Sequence, residues 1–295
     1  MVAPAVPGPP AALDRPGLRL TVAELMALRP PARSARQRPA SRRPGAIAAR
    51  VAGQGMDLRE IRAFADGDDP RRIDPAASAR TGHLHVRSFH EDRDDSTLLI
   101  ADFRDPMLWG TGTALRSVRT ARRLALLGWR AVGRGGSVGV LVAGAGAPAS
   151  LAPAAGAEQM RAVAGLLVQS HEAALLSRAG RRGGAAAALA PTTLAPVLGQ
   201  ALRLLPPGGR VHLATAPEGL EGAEAALSRL ARGRRIEIHL LLDPVEIAPP
   251  RHPVAVSDGA AGRHGRLSAY DPQPLLAHLR KLGATSHLVA SDDPG

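Results

Sequence analysis

Apolar positions after residue 95 form short continuous runs that alternate with helical repeats. Two of the runs, 96–103 and 137–144, are typical of buried strands. Each precedes a segment in which apolar residues recur every three or four positions, which predicts helices over 114–132 and 157–176. Because strands that alternate with helices of this length usually build a parallel sheet, the pattern predicts an α/β fold with helices on both faces of a mostly parallel sheet.

Shorter elements continue this alternation towards the C-terminus. The pattern predicts strands at 211–216, 235–243, 254–256, 266–270 and 286–291, and helices at 193–205, 222–233 and 274–283. We therefore predict an α/β domain over 96–250, followed over 251–295 by short strands and a helix. Since ligands bind at the carboxyl ends of parallel strands, a site is expected in the loop after strand 96–103.

The N-terminal part of the chain has a different character. Residues 1–46 are rich in Pro, Ala and Arg and predict a flexible tail. Within the tail, 18–28 predicts a short helix with Thr21 as N-cap and Glu24 completing a capping box. We expect this helix to dock weakly or to fray. Residues 47–95 form a charged lead-in of strand and loop.

Alternation within the lead-in predicts one strand at 83–89 with a solvated face. His83 and His85 lie on the same side of this strand, at a spacing that suits zinc. Without a third ligand nearby, we interpret them as exposed histidines.

The formal net charge of +12 brings nucleic acid into consideration as a partner. Two observations weaken that hypothesis: aromatic residues are only 2% of the chain, and Lys281 is its only lysine, which together with heavy use of Ala, Gly and Pro is typical of a high-GC coding bias. Nine arginines fall in the first fifty residues, so most of the basic charge lies in the tail. The remaining nucleic-acid hypothesis is binding through the arginine-rich tail at 29–50. The chain has no cysteine, which excludes disulfides and thiolate metal sites. No segment predicts a membrane span or a signal sequence, so a cytoplasmic location is expected.

One long signature makes the chain recognisable. The stretch GQGMDLREIRAFADGDDPRRIDPAASARTGHLHVRSFHEDRD, followed by a strand, an Asp loop and WGTGTALRSVRTARRLALLGWRAV, resembles domain-of-unknown-function family fifty-eight. The resemblance is densest over 50–145 and continues more loosely to 245. It implies a von Willebrand factor A-like fold and a gene typically encoded beside a MoxR-type AAA+ ATPase.

The resemblance also implies where a metal site would lie. An A-like domain binds magnesium through Asp-x-Ser-x-Ser after its first strand, a Thr from a second loop and an Asp from a third. Asp102 matches the first Asp, whereas Arg104 and Pro106 replace the serines, Thr192 matches the Thr, and Thr215 replaces the last Asp. Because a guanidinium offers no lone pair, we expect the metal site to be lost and no cofactor to be bound. Arg104 either folds over Asp102 in place of the cation or points to solvent.

Eight charged residues of the lead-in fall on the family signature: Arg59, Arg62, Asp68, Asp69, Arg71, Arg72, Asp74 and Arg80. We interpret them first as a structural network that supports the loop above the sheet. A partner-docking face and a plainly solvated surface are the alternatives, since exposed ion pairs each contribute little.

The sequence nominates no catalytic nucleophile. Asp102 and Asp105 are three apart and do not form the Asp-x-Asp of a phosphatase, and no Gly-Lys-Ser/Thr phosphate loop occurs. The Gly-x-Ser-x-Gly spacing at 135–139 leads into the predicted strand 137–144, so it does not form the strand-to-helix elbow of a hydrolase. We therefore expect a non-enzymatic adaptor that works with a MoxR-type ATPase and a client protein. The alternatives are nucleic-acid binding through the tail and an Asp102-dependent phosphoesterase.

Overall fold

The computed structural model describes residues 15–31, 52–65, 68–90, 95–144, 146–182, 193–257 and 262–290. The chain divides into two units, one made of 1–32 together with 95–295 and the other of 33–94. The helices are α1 (Val22–Ala27), α2 (Pro75–Thr81), α3 (Arg116–Gly133), α4 (Ala157–Arg182), α5 (Ala195–Leu204), α6 (Glu224–Ala231), α7 (Pro244–Ile247) and α8 (Gln273–Lys281). The strands are β1 (Ala52–Ala63), β2 (His85–His90), β3 (Ser96–Asp102), β4 (Ser137–Ala143), β5 (Ala149–Ala155), β6 (Arg210–Thr215), β7 (Arg235–Leu241), β8 (Val254–Ser257), β9 (Gly262–Gly265) and β10 (Ala284–Val289).

Six strands of the larger unit form a single sheet in the order β10-β7-β6-β3-β4-β5. All neighbouring pairs are parallel except β4 with β5, which is antiparallel. The predicted mostly parallel sheet is thereby confirmed. The predicted domain end at residue 250 is wrong, because β10 supplies the edge strand beside β7 and pairs with it from Ala284 to Val289.

The edge strand β5 is an element that the sequence pattern does not predict. Its Pro153 has no backbone N–H to donate, which is tolerated at the edge of a sheet. The neighbouring strand meets it through Gly139, where the pairing register shifts between Val138 and Val140. A Cβ atom at Gly139 would lie 2.8 Å from the Leu151 carbonyl oxygen, so only glycine permits this close approach.

Two apolar layers cover the faces of the sheet, as predicted. One layer packs α1, α3 and α4 against the sheet, and the other packs α5, α6 and α8 against the opposite face. Strand β3 is buried along its whole length because it lies at the centre of the sheet between both layers. A separate antiparallel pair, β8 with β9, follows α7, while the segment 266–270 that was predicted as a strand is not one.

The N-terminal helix α1 belongs to the core, which corrects the expectation of weak docking. Leu20 and Leu25 are buried in the layer under α3 and α4, and the indole Nε1 of Trp129 donates to the Leu25 carbonyl at 3.1 Å. Thr21 is the N-cap as predicted. The carboxylate of Glu24 pairs with Arg122 at 2.5 Å instead of closing a capping box. Of the predicted tail, the structure describes residues 15–31, and the rest of 1–46 lies outside the described residues.

Within the described part of the chain, no helix is both long enough and apolar enough to cross a membrane.

His171 of α4 anchors the segment that precedes α1. Its Nε2 donates to the Leu18 carbonyl at 2.9 Å, and its ring meets Phe103 edge-on with centroids 5.6 Å apart. Burial lowers the pKa of His171, and the bond to Leu18 opposes that shift only in part. The folded protein therefore keeps this imidazole neutral at pH values where the unfolded chain is protonated.

The lowered pKa predicts that acid destabilises the protein through His171. Below about pH 6.5 the unfolded chain binds a proton that the folded state excludes, so the free energy of unfolding falls by up to about 1.4 kcal/mol per pH unit. His171→Gln keeps a donor for the Leu18 carbonyl and removes the titration. Urea unfolding at about pH 7 and about pH 5 should show a smaller loss of stability for the variant than for the wild type. Equal losses of stability in the variant and the wild type would show that His171 is not a source of the acid sensitivity.

Candidate functional site

The central strand β3 delivers Asp102 to the carboxyl edge of the sheet. In parallel α/β sheets this edge is where ligands bind, because loops and helix starts converge there. The side chain of Asp102 is nonetheless fully buried, and the chain leaves the strand through Arg104, which is itself only 8% exposed. Two opposite charges, two residues apart in the chain, are thus both buried. The contact between them decides whether Asp102 is available to bind a metal ion.

Arg104 folds back over Asp102 and holds both of its oxygens. Nε of Arg104 donates to Oδ1 at 2.8 Å, and Nη2 donates to Oδ2 at 2.7 Å. The backbone N–H of Arg104 adds a third bond to Oδ1 at 3.0 Å. This is the paired, planar fork that guanidinium groups form with carboxylates, and it corresponds to the inward alternative of the sequence analysis.

The loop after β6 closes the pair from the other side. Thr215 donates its hydroxyl to Oδ2 of Asp102 at 2.6 Å, and the Gly219 carbonyl accepts from Nη2 of Arg104 at 2.7 Å. A Cβ atom at Gly219 would lie 2.2 Å from the Thr215 hydroxyl and 2.9 Å from Oδ2 of Asp102. Glycine therefore allows the backbone to lie directly against the ion pair.

The carboxylate of Asp102 is consequently saturated. A carboxylate has about four lone-pair directions, and here they meet two donors on Oδ1 and two on Oδ2. A magnesium ion would need at least one of these lone pairs, together with further hydroxyl or carboxylate oxygens. The residues present do not fit such an ion, because the Arg104 guanidinium already lies against both oxygens of Asp102.

A second buried arginine lies beside this pair, at the start of α3. Arg116 is fully buried, and it pairs with Glu218 at 2.7 Å and with Glu246. Its guanidinium also lies over the Trp109 ring, 4.2 Å from the centroid, and donates to the Pro106 carbonyl at 3.1 Å. Pro106 replaces the second serine of the family pattern, and its backbone carbonyl accepts this hydrogen bond from Arg116.

Two further contacts tie the same edge together. Arg119, one turn after Arg116, donates to the carbonyls of Leu242 and Val289, both at 2.8 Å, and so bridges the ends of β7 and β10. Asp243 accepts from the backbone N–H of Thr111 at 2.8 Å and also from the Thr111 hydroxyl. The loop that carries the WGTGT motif is therefore fastened to the segment after β7.

The surface near Glu246 combines apolar and acidic groups. The carbonyl of Glu246 accepts from the Tyr270 backbone N–H at 2.8 Å. Partial burial raises the pKa of the Tyr270 phenol, and the charges of Glu218 and Glu246 add to that effect. Tyr270, Ile247 and Leu267 are all exposed large side chains. Ile247 follows Glu246 in the chain, and we call Ile247 and Tyr270 the Tyr270 surface.

The lead-in unit uses its acids to shape its own backbone. Asp69 and Asp74 each precede a proline and begin a helical turn, accepting from the N–H groups of Arg71 at 3.0 Å and Ala77 at 2.8 Å. An Asp N-cap followed by Pro is a favoured way to start a helix. The same unit pairs β1 with β2 in antiparallel fashion, which confirms the strand predicted around 83–89.

Arg62 and Asp68 form the two-point ion pair of the lead-in. Nη1 and Nη2 of Arg62 donate to the two carboxylate oxygens at 2.8 and 2.5 Å. The bonds from Arg62 and from the Ala65 N–H lower the pKa of Asp68. Arg71 and Arg80 lie exposed and Arg72 half-exposed, while the Arg59 side chain lies outside what the structure describes.

The structure thus brings together Asp102, Arg104 and Thr215, but the predicted Thr192 lies outside the described residues. Sequence reasoning missed Arg116 together with its partners Glu218 and Glu246. Charged residues at the start of a helix and in loops are usually solvated, so periodicity gave no signal for a buried cluster.

Part of the chain matches a known protein family. The profile described as "Protein of unknown function DUF58" matches residues 60–205. Uncharacterized proteins of Mycobacterium tuberculosis (strain ATCC 25618 / H37Rv) and Mycobacterium bovis (strain ATCC BAA-935 / AF2122/97) are 33% identical over 93 residues, which are 32% of this chain. The match spans 29% of the length of those relatives.

Solved structures with some likeness include the conserved hypothetical protein BatB from Bacteroides thetaiotaomicron, at 15% identity and a TM-score of 0.42, covering 66% of this chain and 90% of that one. The SpRpn10 VWA domain is also 15% identical, with a TM-score of 0.36, covering 67% of this chain and 87% of that one. The sheet of this chain is mostly parallel with one antiparallel edge strand, β5, and helices cover both of its faces.

The buried pair predicts a large effect of removing one partner. Arg104→Met leaves the Asp102 carboxylate buried without its counter-charge and should lower the free energy of unfolding by about 3–5 kcal/mol. The double variant Asp102→Asn with Arg104→Met should recover part of that loss, because no charge is then left unpaired. Urea denaturation at neutral pH measures the free energy of unfolding of the wild type, of Arg104→Met and of the double variant.

The exposed pair of Arg134 with Asp95, 3.0 Å apart in the same unit, offers a matched control. Arg134→Met should cost less than about 1 kcal/mol because solvent screens that pair. Equal losses for Arg104→Met and Arg134→Met would show that the inner pair is not a buried, saturated contact.

Proposed function

Residues 60–205 belong to the DUF58 family, and from that premise we propose that the chain is a non-catalytic protein-interaction domain, an adaptor for a MoxR-type AAA+ ATPase and its client. The observation that supports this proposal most strongly is the saturated carboxylate of Asp102. It leaves no lone pair of Asp102 for the metal ion that an A-like domain would use, and it leaves Asp102 unable to act as a nucleophile or a base. The ATPase partner follows from the family resemblance.

An internal cation changes how such a domain can dock. A metal-bearing A-like domain can offer its ion to a carboxylate of the partner, since the ion keeps an open coordination position. Arg104 has both carboxylate oxygens on one side and the Gly219 carbonyl on another, and it is almost fully buried. Partner recognition therefore falls to surface groups around the edge, and it needs no magnesium from this chain.

The Tyr270 surface is the part of that edge best suited to a protein partner. Tyrosine is enriched at interface hot spots because it buries a large ring and keeps a polar tip. Glu218 and Glu246, 40% and 23% exposed, stand near the ring and give the rim a negative charge. A partner patch with apolar and basic side chains would complement it. The charged lead-in remains the alternative docking face.

The proposal predicts docking that is independent of magnesium. The purified chain should bind the purified MoxR-type ATPase of the same genome equally well in magnesium and in EDTA, as measured by biolayer interferometry with the ATPase free of nucleotide. Size-exclusion chromatography checks that EDTA leaves the ATPase assembly unchanged. Loss of binding in EDTA with an intact ATPase would refute metal-independent docking, and an absence of binding in both buffers would refute the partner.

Variants locate the docking face in the same assay. Tyr270→Ala should weaken binding at least about tenfold, as expected for an aromatic hot spot. Leu84→Ser changes a comparably exposed side chain in the lead-in unit and should leave the affinity unchanged. The reverse result would transfer docking to the lead-in.

Nucleic-acid binding through the arginine-rich tail is the second candidate, favoured by nine arginines in the first fifty residues. A deletion of residues 1–46 cannot test it, because it would also remove Leu20 and Leu25 from the core. Replacing Arg33, Arg36, Arg38, Arg42 and Arg43 with glutamine avoids that damage.

The glutamine replacement should abolish any salt-dependent binding of a labelled oligonucleotide, measured by fluorescence anisotropy, because fewer counterions are released. ATPase docking should be unchanged by it. Oligonucleotide affinity that survives the replacement would place nucleic-acid binding outside the tail.

A further inference from the structure

Three neighbouring strands carry a polar cluster on one face of the sheet, apart from the Asp102 pair. His212 on β6 stands opposite Glu237 on β7 in the parallel register, and His239 follows Glu237 two residues later on the same face. His287 on β10 stands opposite His239. The register therefore collects three imidazoles and one carboxylate in a small patch of one face of the sheet.

The nitrogen and oxygen atoms of this cluster converge. Nδ1 of His212 lies 3.2 Å from Nε2 of His239 and 3.5 Å from Oε2 of Glu237. Ligand atoms of these three residues all lie within 4.8 Å of one another. Tetrahedral ligands at ~2.0–2.1 Å from a zinc ion are roughly 3.3 Å apart. The separations of 3.2 and 3.5 Å match that spacing.

Burial keeps the two imidazoles in the form that binds metal. Removal from water lowers the pKa of His212 to about 3, and the positive charges of Arg210, Arg134 and Arg123 act in the same direction. Removal from water likewise lowers the pKa of His239 to about 2. Neutral imidazole has a free lone pair, as metal ligation requires.

The carboxylate of Glu237 completes the chemistry. Two neutral imidazoles leave the charge of a divalent ion uncompensated, and the nearby guanidinium groups oppose it further. Glu237 supplies the negative charge, and it is 31% exposed, so the cluster is open to solvent on its side. His287 lies 3.8 Å from the same carboxylate, and its ring stacks on that of His239 with centroids 5.3 Å apart.

We propose that His212, Glu237 and His239 bind one borderline divalent cation of the Zn²⁺ class, with a fourth coordination position open to solvent. Imidazole with carboxylate in a two-to-one set suits zinc and its first-row neighbours rather than magnesium. The cluster shares no residue with the Asp102–Arg104 pair, and its metal affinity is measured on the chain alone, without the ATPase.

Cobalt serves as the spectroscopic probe for this site. The tag-free full chain, freed of metal by dialysis against a chelator, is titrated with Co²⁺ and then with Zn²⁺ as competitor. We expect one equivalent per chain, the visible absorption of four-coordinate cobalt, and displacement by zinc. Zinc should also raise the melting temperature, because it binds only the folded cluster.

Variants assign the bound ion to the cluster. Removing a group that only hydrogen-bonds to a metal ligand lowers metal affinity about 10–100-fold. Glu237→Gln removes a direct ligand, so it should weaken Co²⁺ binding at least about tenfold. His212→Gln should do the same. His264→Gln, at an exposed histidine of β9, is the matched control and should bind like the wild type.

Glu237→Gln decides the question even if His212→Gln fails to fold, because Glu237 is partly exposed and its replacement keeps the shape. Absence of the cobalt spectrum in the wild type would overturn the proposal. Equal affinity in the wild type and Glu237→Gln would place the ion elsewhere and overturn it as well.

Discussion

The ion pair between Asp102 and Arg104 is the contact on which the carboxyl edge of the sheet depends. Asp102 ends the central strand β3 with no exposed surface, where an unpaired carboxylate would cost several kcal/mol. Arg104 supplies the counter-charge two residues later and also bonds to the carbonyl of Gly219, 115 positions away. The pair therefore compensates a buried charge and fixes the loop after β3 against the loop after β6.

Buried guanidinium groups repeat this role along the same edge. Arg116 joins Glu218 and Glu246, and Arg119 joins the carbonyls that end β7 and β10. One guanidinium has five donors in a plane, so a single side chain can satisfy groups from two elements at once. Part of the basic composition that suggests a nucleic-acid partner is thus used inside the fold.

Two polar sites share this sheet, and they differ in what they leave available. The lone pairs of Asp102 already meet donors from the protein, which supports a domain that docks without magnesium. In the cluster of His212, Glu237 and His239, Nδ1 of His212 lies within 3.5 Å of both Nε2 of His239 and Oε2 of Glu237. The Arg104 guanidinium takes the place of a metal ion at Asp102, whereas the imidazoles and the carboxylate of the second site are the ligands that a divalent cation prefers. Both sites arise where polar side chains enter a parallel sheet.

The sequence by itself determined the alternation of strands and helices, the central strand ending in Asp102, and the arginine in a serine's place, because local burial leaves a period in the residues. Tertiary structure alone decided that β5 and β10 form the edges, that α1 enters the core, and that Arg104 turns inward. It also assembled Arg116 with its acids and His212 with His239. Periodicity cannot report these contacts, since each depends on partners that the sheet order brings together; Glu218, for example, lies 102 positions from Arg116.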